Sequence, residues 1–283
     1  MQFEDEITLL KSNPPPILIF FSYFKPMDYA IIAITVLFGA VLTFFSGFGL
    51  GTLMLPVFSL FFPLPIAIGA TAIVHLSNNL FKFGMVYKHI HKVTLLSFGF
   101  PAVLASLIGA ITLRYLVDLP VAGSYHIGES VIELSYLKMV IGALMIFFSI
   151  IELVPQLLPL GSLKKNIVLG GLLSGFFGGL SGHQGAFRSA FLSKADLTKE
   201  EFIATSNSIA LLIDLFRLIV YYETFNFSAL AYETDLLFIA IVCAFVGTYF
   251  GKKLLNKVTM SGIQKVVAYC LLLLGALFIA GLV

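Results

Sequence analysis

Long apolar runs separated by short polar punctuation fill most of the chain, and eight can be drawn: Tyr29 to Phe62, Ile66 to Val86, Val93 to Val117, Leu134 to Leu158, Ile167 to Leu192, Phe202 to Tyr222, Leu236 to Leu255 and Gly262 to Val283. An α-helix needs about 20 apolar residues to cross the hydrocarbon core of a bilayer, and these lengths suit that purpose. The pattern predicts an all-α polytopic integral membrane protein in which residues 1–283 form a single membrane domain. Two runs are interrupted by glycine and small polar residues, in SGFGLGT (Ser46 to Thr52) and in GGLSGHQGA (Gly178 to Ala186). Glycine tolerates the backbone geometry of a sharp break, so both are read as broken helices or hairpins.

The interruptions lie about half a chain apart. Sliding the sequence by 134 positions puts Gly51 on Gly185 and Ala70-Thr71 on Ala204-Thr205; one position further, Leu80-Phe81-Lys82 falls on Leu215-Phe216-Arg217. These matches predict a duplication, with repeat 1 at about 28–159, repeat 2 at about 164–283, and 1–27 as an N-terminal extracytoplasmic segment. Basic residues mark the cytoplasmic loops: Lys88 and Lys92, Lys164 and Lys165, Lys194 and Lys199, then Lys252, Lys253 and Lys257. The loops with Asp118, Glu129 and Glu133, and with Glu223, Glu233 and Asp235, are then external. Lysines flank the fifth run on both ends, so it enters and leaves on one side as a hairpin. Each half then has one hairpin and three crossings, an inverted-topology repeat typical of secondary transporters. The expected location is the cell (inner) membrane, multi-pass, with both termini extracytoplasmic.

Composition narrows the function classes. The chain is 59% hydrophobic and 11% charged, with mean hydropathy +1.01, which excludes a water-soluble fold. A scattered formal charge of +2 offers no nucleic-acid surface. The acidic start MQFEDEITLLK is unlike a signal peptide, and the short run Ile17 to Phe24 is read as an interfacial or disordered segment. Cys243 and Cys270 sit singly in separate apolar runs and are read as apolar filler. His89 and His91 stand in a basic loop, no metal-ligand cluster or nucleotide motif is visible, and no cofactor or enzymatic activity is expected. The expected partners are a small anionic substrate and the lipid bilayer, with a homo-oligomer left open.

Chemistry is expected where helices break at membrane depth. The second arm of each hairpin should begin near Gly49, Gly51 and Thr52, or near Gly182 and Gly185, and a helix start presents N–H groups suited to an anion. Four charges need partners or a cavity: Lys82, Arg188, Asp214 and Arg217. Asp214 and Arg217, three apart on one helix face, are read as an ion pair or as a gating and proton-coupling pair. Arg188 is expected to balance anion charge, and Lys82 either joins it or snorkels to the interface. His183 and Gln184 at the second tip, with Asn78 and Asn207 on polar stretches that include His75, Ser77, Asn79, Thr205, Ser206 and Ser208, are expected to orient the substrate.

The stretches SGFGLGTLMLPVF, PLPIAIGATAIVHLSNNLFKF, GGLLSGFFGGLSGHQGAF and EEFIATSNS resemble the TauE/SafE sulfite-exporter family over nearly the whole chain. The resemblance implies transport of sulfite, sulfonates or related small anions. The second half departs from the family pattern: Gly182-His183-Gln184-Gly185 replaces a glycine triplet, and Ala190 stands at the place equivalent to Pro56. A passive anion channel, a membrane thiol-redox protein using the two cysteines, and a cation transporter centred on Asp214 are the alternatives.

Overall fold

The computed structural model describes residues 26–46, 49–128, 130–154, 166–225, 234–254 and 261–282. The Ile17 to Phe24 segment and residues Glu129, Lys164, Lys165, Glu233 and Lys257 lie outside them. Six described helices are long and apolar enough to cross a membrane by length and composition, and two shorter apolar helices accompany them.

The first run divides into α1 (Pro26–Ser46) and α2 (Leu50–Phe58), and α3 (Leu64–Val86) follows after a short turn. A single 3-10 turn at Tyr87–His89 leads into α4 (Lys92–Asp118). After α5 (Tyr136–Leu153), the fifth run divides into α6 (Ile167–Ser181) and α7 (Gly185–Leu192). The remaining helices are α8 (Lys199–Thr224), α9 (Thr234–Leu254) and α10 (Ser261–Ile279). Polar side chains set several starts: Asn166 caps α6, and Thr198 with Glu201 forms a reciprocal capping box at the start of α8.

Both interrupted runs fold back on themselves. A β-carbon at Gly39 would lie 3.0 Å from Leu50 Cδ1 and 3.2 Å from Leu53 Cδ1, so α2 returns along α1. In the fifth run, Ser174 Oγ donates to the Gln184 carbonyl at 2.9 Å, and Gly170 faces Phe191 further down the same pair. The turn between α6 and α7 requires Gly182, whose φ of 82° is left-handed and unfavourable for any residue with a β-carbon.

Packing is exchanged between the halves. The long arm α6 lies against α4, and α1 lies against α9, while α3 packs on α8 and α5 on α10. Close approach uses glycine in both exchanged pairs: Gly109 of α4 abuts the Phe176 carbonyl, and Gly247 of α9 abuts the Leu37 carbonyl. Large apolar side chains such as Leu96, Phe100 and Phe238 point outward, as a lipid-facing surface requires.

One element departs from the all-α expectation. Between α4 and α5 lie β1 (Val121–Ile127) and β2 (Ser130–Ser135), an antiparallel pair, so the start of the fourth drawn run at Leu134 falls in a strand and α5 starts two residues later. The sequence VAGSYHIGESVIELS places β-branched residues on both sides of Gly128, whose positive φ suits a turn. A search for bilayer-length runs passes over such a short hairpin. Tyr125 Oη donates to the Ala280 carbonyl at 2.6 Å and ties the hairpin to the end of α10.

Candidate functional site

The two hairpin tips meet at mid-length of α3 and α8. A β-carbon at Gly51 would lie 3.6 Å from the Gly182 carbonyl, and one at Gly49 would lie 2.9 Å from His75 Nε2. Here α3 and α8 cross antiparallel, and their polar stretches face each other. His91 N–H donates to Thr205 Oγ1 at one end of the crossing, Asn207 Nδ2 to the Asn79 carbonyl further in, and His75 meets Asp214 deeper still.

Asp214, fully buried, is the hub. Its Oδ2 accepts from His75 Nδ1 at 2.6 Å and from Asn79 Nδ2 at 2.7 Å, while its Oδ1 accepts from Gln184 Nε2 at 2.9 Å and Arg217 Nε at 3.1 Å. A carboxylate only accepts, so the hydrogen of His75 sits on Nδ1 and Nε2 is left beside Gly49. Gln184 Oε1 in turn accepts from Arg188 Nη1 at 2.7 Å, and Arg188 Nε donates to Ser206 Oγ at 2.9 Å. The Asp214 and Arg217 ion pair expected from their spacing is present, with Nη2 2.9 Å from Oδ1.

To one side of the tips lies a small polar cavity. Its polar lining is Thr43, His75, Asn78, Asn79, Lys82, Arg188, Ser206 and Asn207. It runs from tip level toward the C-terminal end of α3 and the N-terminal end of α8, the ends that carry Lys88 and Lys199. On the opposite side of the tips, Arg217 Nη1 donates to the Gly178 carbonyl at 3.3 Å and Tyr221 Oη to the Gly179 carbonyl at 2.5 Å.

Lys82 is buried rather than snorkelling. Its ammonium donates to the Thr43 carbonyl at 3.4 Å and stands 5.1 Å from the centre of the Phe44 ring. Among the described residues no carboxylate pairs with it. The buried charged side chains there are three cations, Lys82, Arg188 and Arg217, against the single carboxylate of Asp214.

Of the residues singled out from the sequence, Gly49, Asn78, Lys82, Arg188 and Asn207 line this cavity. Gly51, Thr52, Gly182, Gln184 and Gly185 are buried at or beside the tips. His183 stacks on Phe148 with ring centres 5.2 Å apart, and its Nδ1 meets Ser181 Oγ at 3.0 Å. Asp214 and Arg217 sit behind His75, outside the cavity lining. Two residues of the hub carry more weight than the sequence suggested, His75 and Asn79. The repeat alignment held the signal for the second: extending Leu80-Phe81-Lys82 backward by one position puts Asn79 on Asp214.

Several contacts recur at that same separation of 135 positions. Lys82 to the Thr43 carbonyl matches Arg217 to the Gly178 carbonyl, and Val86 beside Phe44 matches Tyr221 on Gly179. Asn79 and Asp214, themselves 135 apart, hydrogen-bond to each other across the crossing.

A family model described as "Sulfite exporter TauE/SafE" matches residues 31–278, nearly the whole chain. No curated protein and no solved structure gave a match.

Proposed function

Because the chain belongs to the sulfite exporter TauE/SafE family, we propose that it is a multi-pass secondary transporter of the cell (inner) membrane that carries a small sulfur oxyanion outward. Sulfite, a sulfonate or a related organosulfur anion would enter the cavity beside the hairpin tips. One observation carries this reading: the ammonium of Lys82 is held in a buried cavity with no carboxylate paired to it among the described residues. A buried cation without a counter-charge is costly, and a bound anion supplies what the protein leaves out.

The architecture proposed is an inverted repeat, supported by the exchanged packing, by both fold-backs and by the contacts that recur 135 positions apart. With three crossings and one hairpin in each half, both termini are extracytoplasmic and the basic loops are cytoplasmic. The cavity then opens to the cytoplasm, and the Arg217 and Tyr221 contacts close the external route. Lys82 and Arg188 hold the anion, Asn78, Ser206 and Asn207 orient it, and His75 on Asp214 links the cavity to the closed side. Transport follows when the arrangement around the tips rocks between two such states.

The test is sulfite flux in proteoliposomes of purified protein. Saturable flux that Lys82→Met abolishes and Arg188→Gln reduces, at unchanged expression, is the expected result. Flux that fails to saturate points to a channel, and full activity in Lys82→Met removes the cation from the mechanism.

A further inference from the structure

The orientation of one amide in the cavity reaches beyond the choice of an anion, although it rests on the anion site proposed above. Asn207 Nδ2 donates to the Asn79 main-chain carbonyl at 3.0 Å. A carbonyl oxygen only accepts, so the amide has a single sensible orientation, with its amino group on Asn79. That leaves Asn207 Oδ1, a pure acceptor, with no hydrogen-bond partner among the described residues, in a side chain that is 5% exposed and lines the cavity.

The neighbouring groups make the opposite demand. Lys82 offers ammonium hydrogens, Arg188 a guanidinium, and Asn78 an Nδ2 with no hydrogen-bond partner among the described residues. An oxyanion meets Lys82 and Asn78 as an acceptor and lies beside the positive charge of Arg188. Set against Asn207 Oδ1, however, a fully deprotonated oxyanion brings lone pair to lone pair. A buried acceptor left unsatisfied is costly, and a site that carries one rejects an analogue lacking the matching donor.

We infer that Asn207 is a specificity-determining residue, and that the site selects small oxyanions bearing one O–H or N–H of their own over fully deprotonated oxyanions of the same size. The donor can sit on the oxyanion, as in a singly protonated acid, or on a short tail, as in a hydroxy- or amino-sulfonate. In either place it meets Oδ1 while the charged oxygens meet Lys82 and Arg188.

Equilibrium binding to the purified protein in lipid nanodiscs separates these cases with two near-isosteric pairs. The first is hydrogen phosphate against sulfate, at a pH where phosphate is the singly protonated dianion, so that shape and charge match and one proton differs. The second is isethionate against ethanesulfonate, which moves the donor to the tail. In the wild type the donor-bearing member of at least one pair binds about tenfold more tightly or better. Asn207→Ala brings that ratio to about one, chiefly by losing affinity for the donor-bearing member. The wild-type pairs stand by themselves if the variant fails to fold. Equal affinity within both pairs, or a preference that survives in Asn207→Ala, overturns the inference and leaves the anion site standing. Binding of no anion at all overturns both.

Discussion

Lys82 on α3 and Arg217 on α8 stand 135 positions apart and make the same kind of contact, each reaching a main-chain carbonyl on the long arm of a hairpin. Their surroundings differ in the group placed to pair with the charge. Three positions before Arg217 is Asp214, which pairs with it; three positions before Lys82 is Asn79, an amide of nearly the same shape that cannot. The second half therefore keeps a cation paired to a carboxylate, and the first keeps one with no paired carboxylate among the described residues, beside a cavity. On the proposed repeat, the exchange of a carboxylate for an amide is what would make the scaffold directional in charge.

Making each side resemble the other breaks the comparison. Asp214→Asn gives the second half the chemistry of the first, stranding Arg217 and removing the acceptor of His75. Thermal unfolding in detergent should show the largest loss of all, about 3–5 kcal/mol, as for a buried ion pair cut on one side. Lys82→Met, the matching operation on the first half, should leave stability unchanged or slightly raised while anion affinity falls about tenfold to a hundredfold. If the two variants lose stability equally, the proposed difference in charge compensation is wrong.

The tips sharpen the contrast at smaller scale. Gly182→Ala forces a side chain into a left-handed turn and against Arg217 Nη1, 2.9 Å from the new carbon. The expected cost is about 1–2 kcal/mol from the backbone, read as a lower unfolding midpoint. Gly49 has an ordinary φ of −77°, so Gly49→Ala meets only His75 Nε2; it should disturb anion binding more than stability. The smallest effect belongs to Thr248→Val, which removes the hydrogen bond that orients Asn78 and should cost about 1 kcal/mol of stability.

Much of the fold was legible in the sequence because the bilayer imposes one length and one polarity. The run drawn from Val93 to Val117 became α4 at Lys92–Asp118, and the run from Phe202 to Tyr222 became α8 at Lys199–Thr224. The two glycine interruptions marked the tips for a comparable reason, since few other residues make such a turn. The site was only partly legible. Spacing along one helix revealed Asp214 with Arg217, but the His75 to Asp214 contact spans 139 positions and depends on how two helices cross. His183, beside the tip in sequence, stacks on Phe148 and is not among the residues that line the cavity. A residue's place along a chain says which tip it belongs to, and the packing of that tip decides which way it faces.

The β1 and β2 pair has a mechanical consequence. It projects from the helices at the start of α5 and is fastened to the end of α10 through Tyr125 and Ala280, so it rides on the pair of helices that packs α5 against α10. A strand of this length extends roughly 20 Å at about 3.3 Å per residue, so a rotation of about 10° at its base displaces its far end by roughly 3–4 Å. The hairpin is thus a lever arm long enough for a fluorophore pair or a spin label at its turn to report tilting of α5 and α10 as a change in distance.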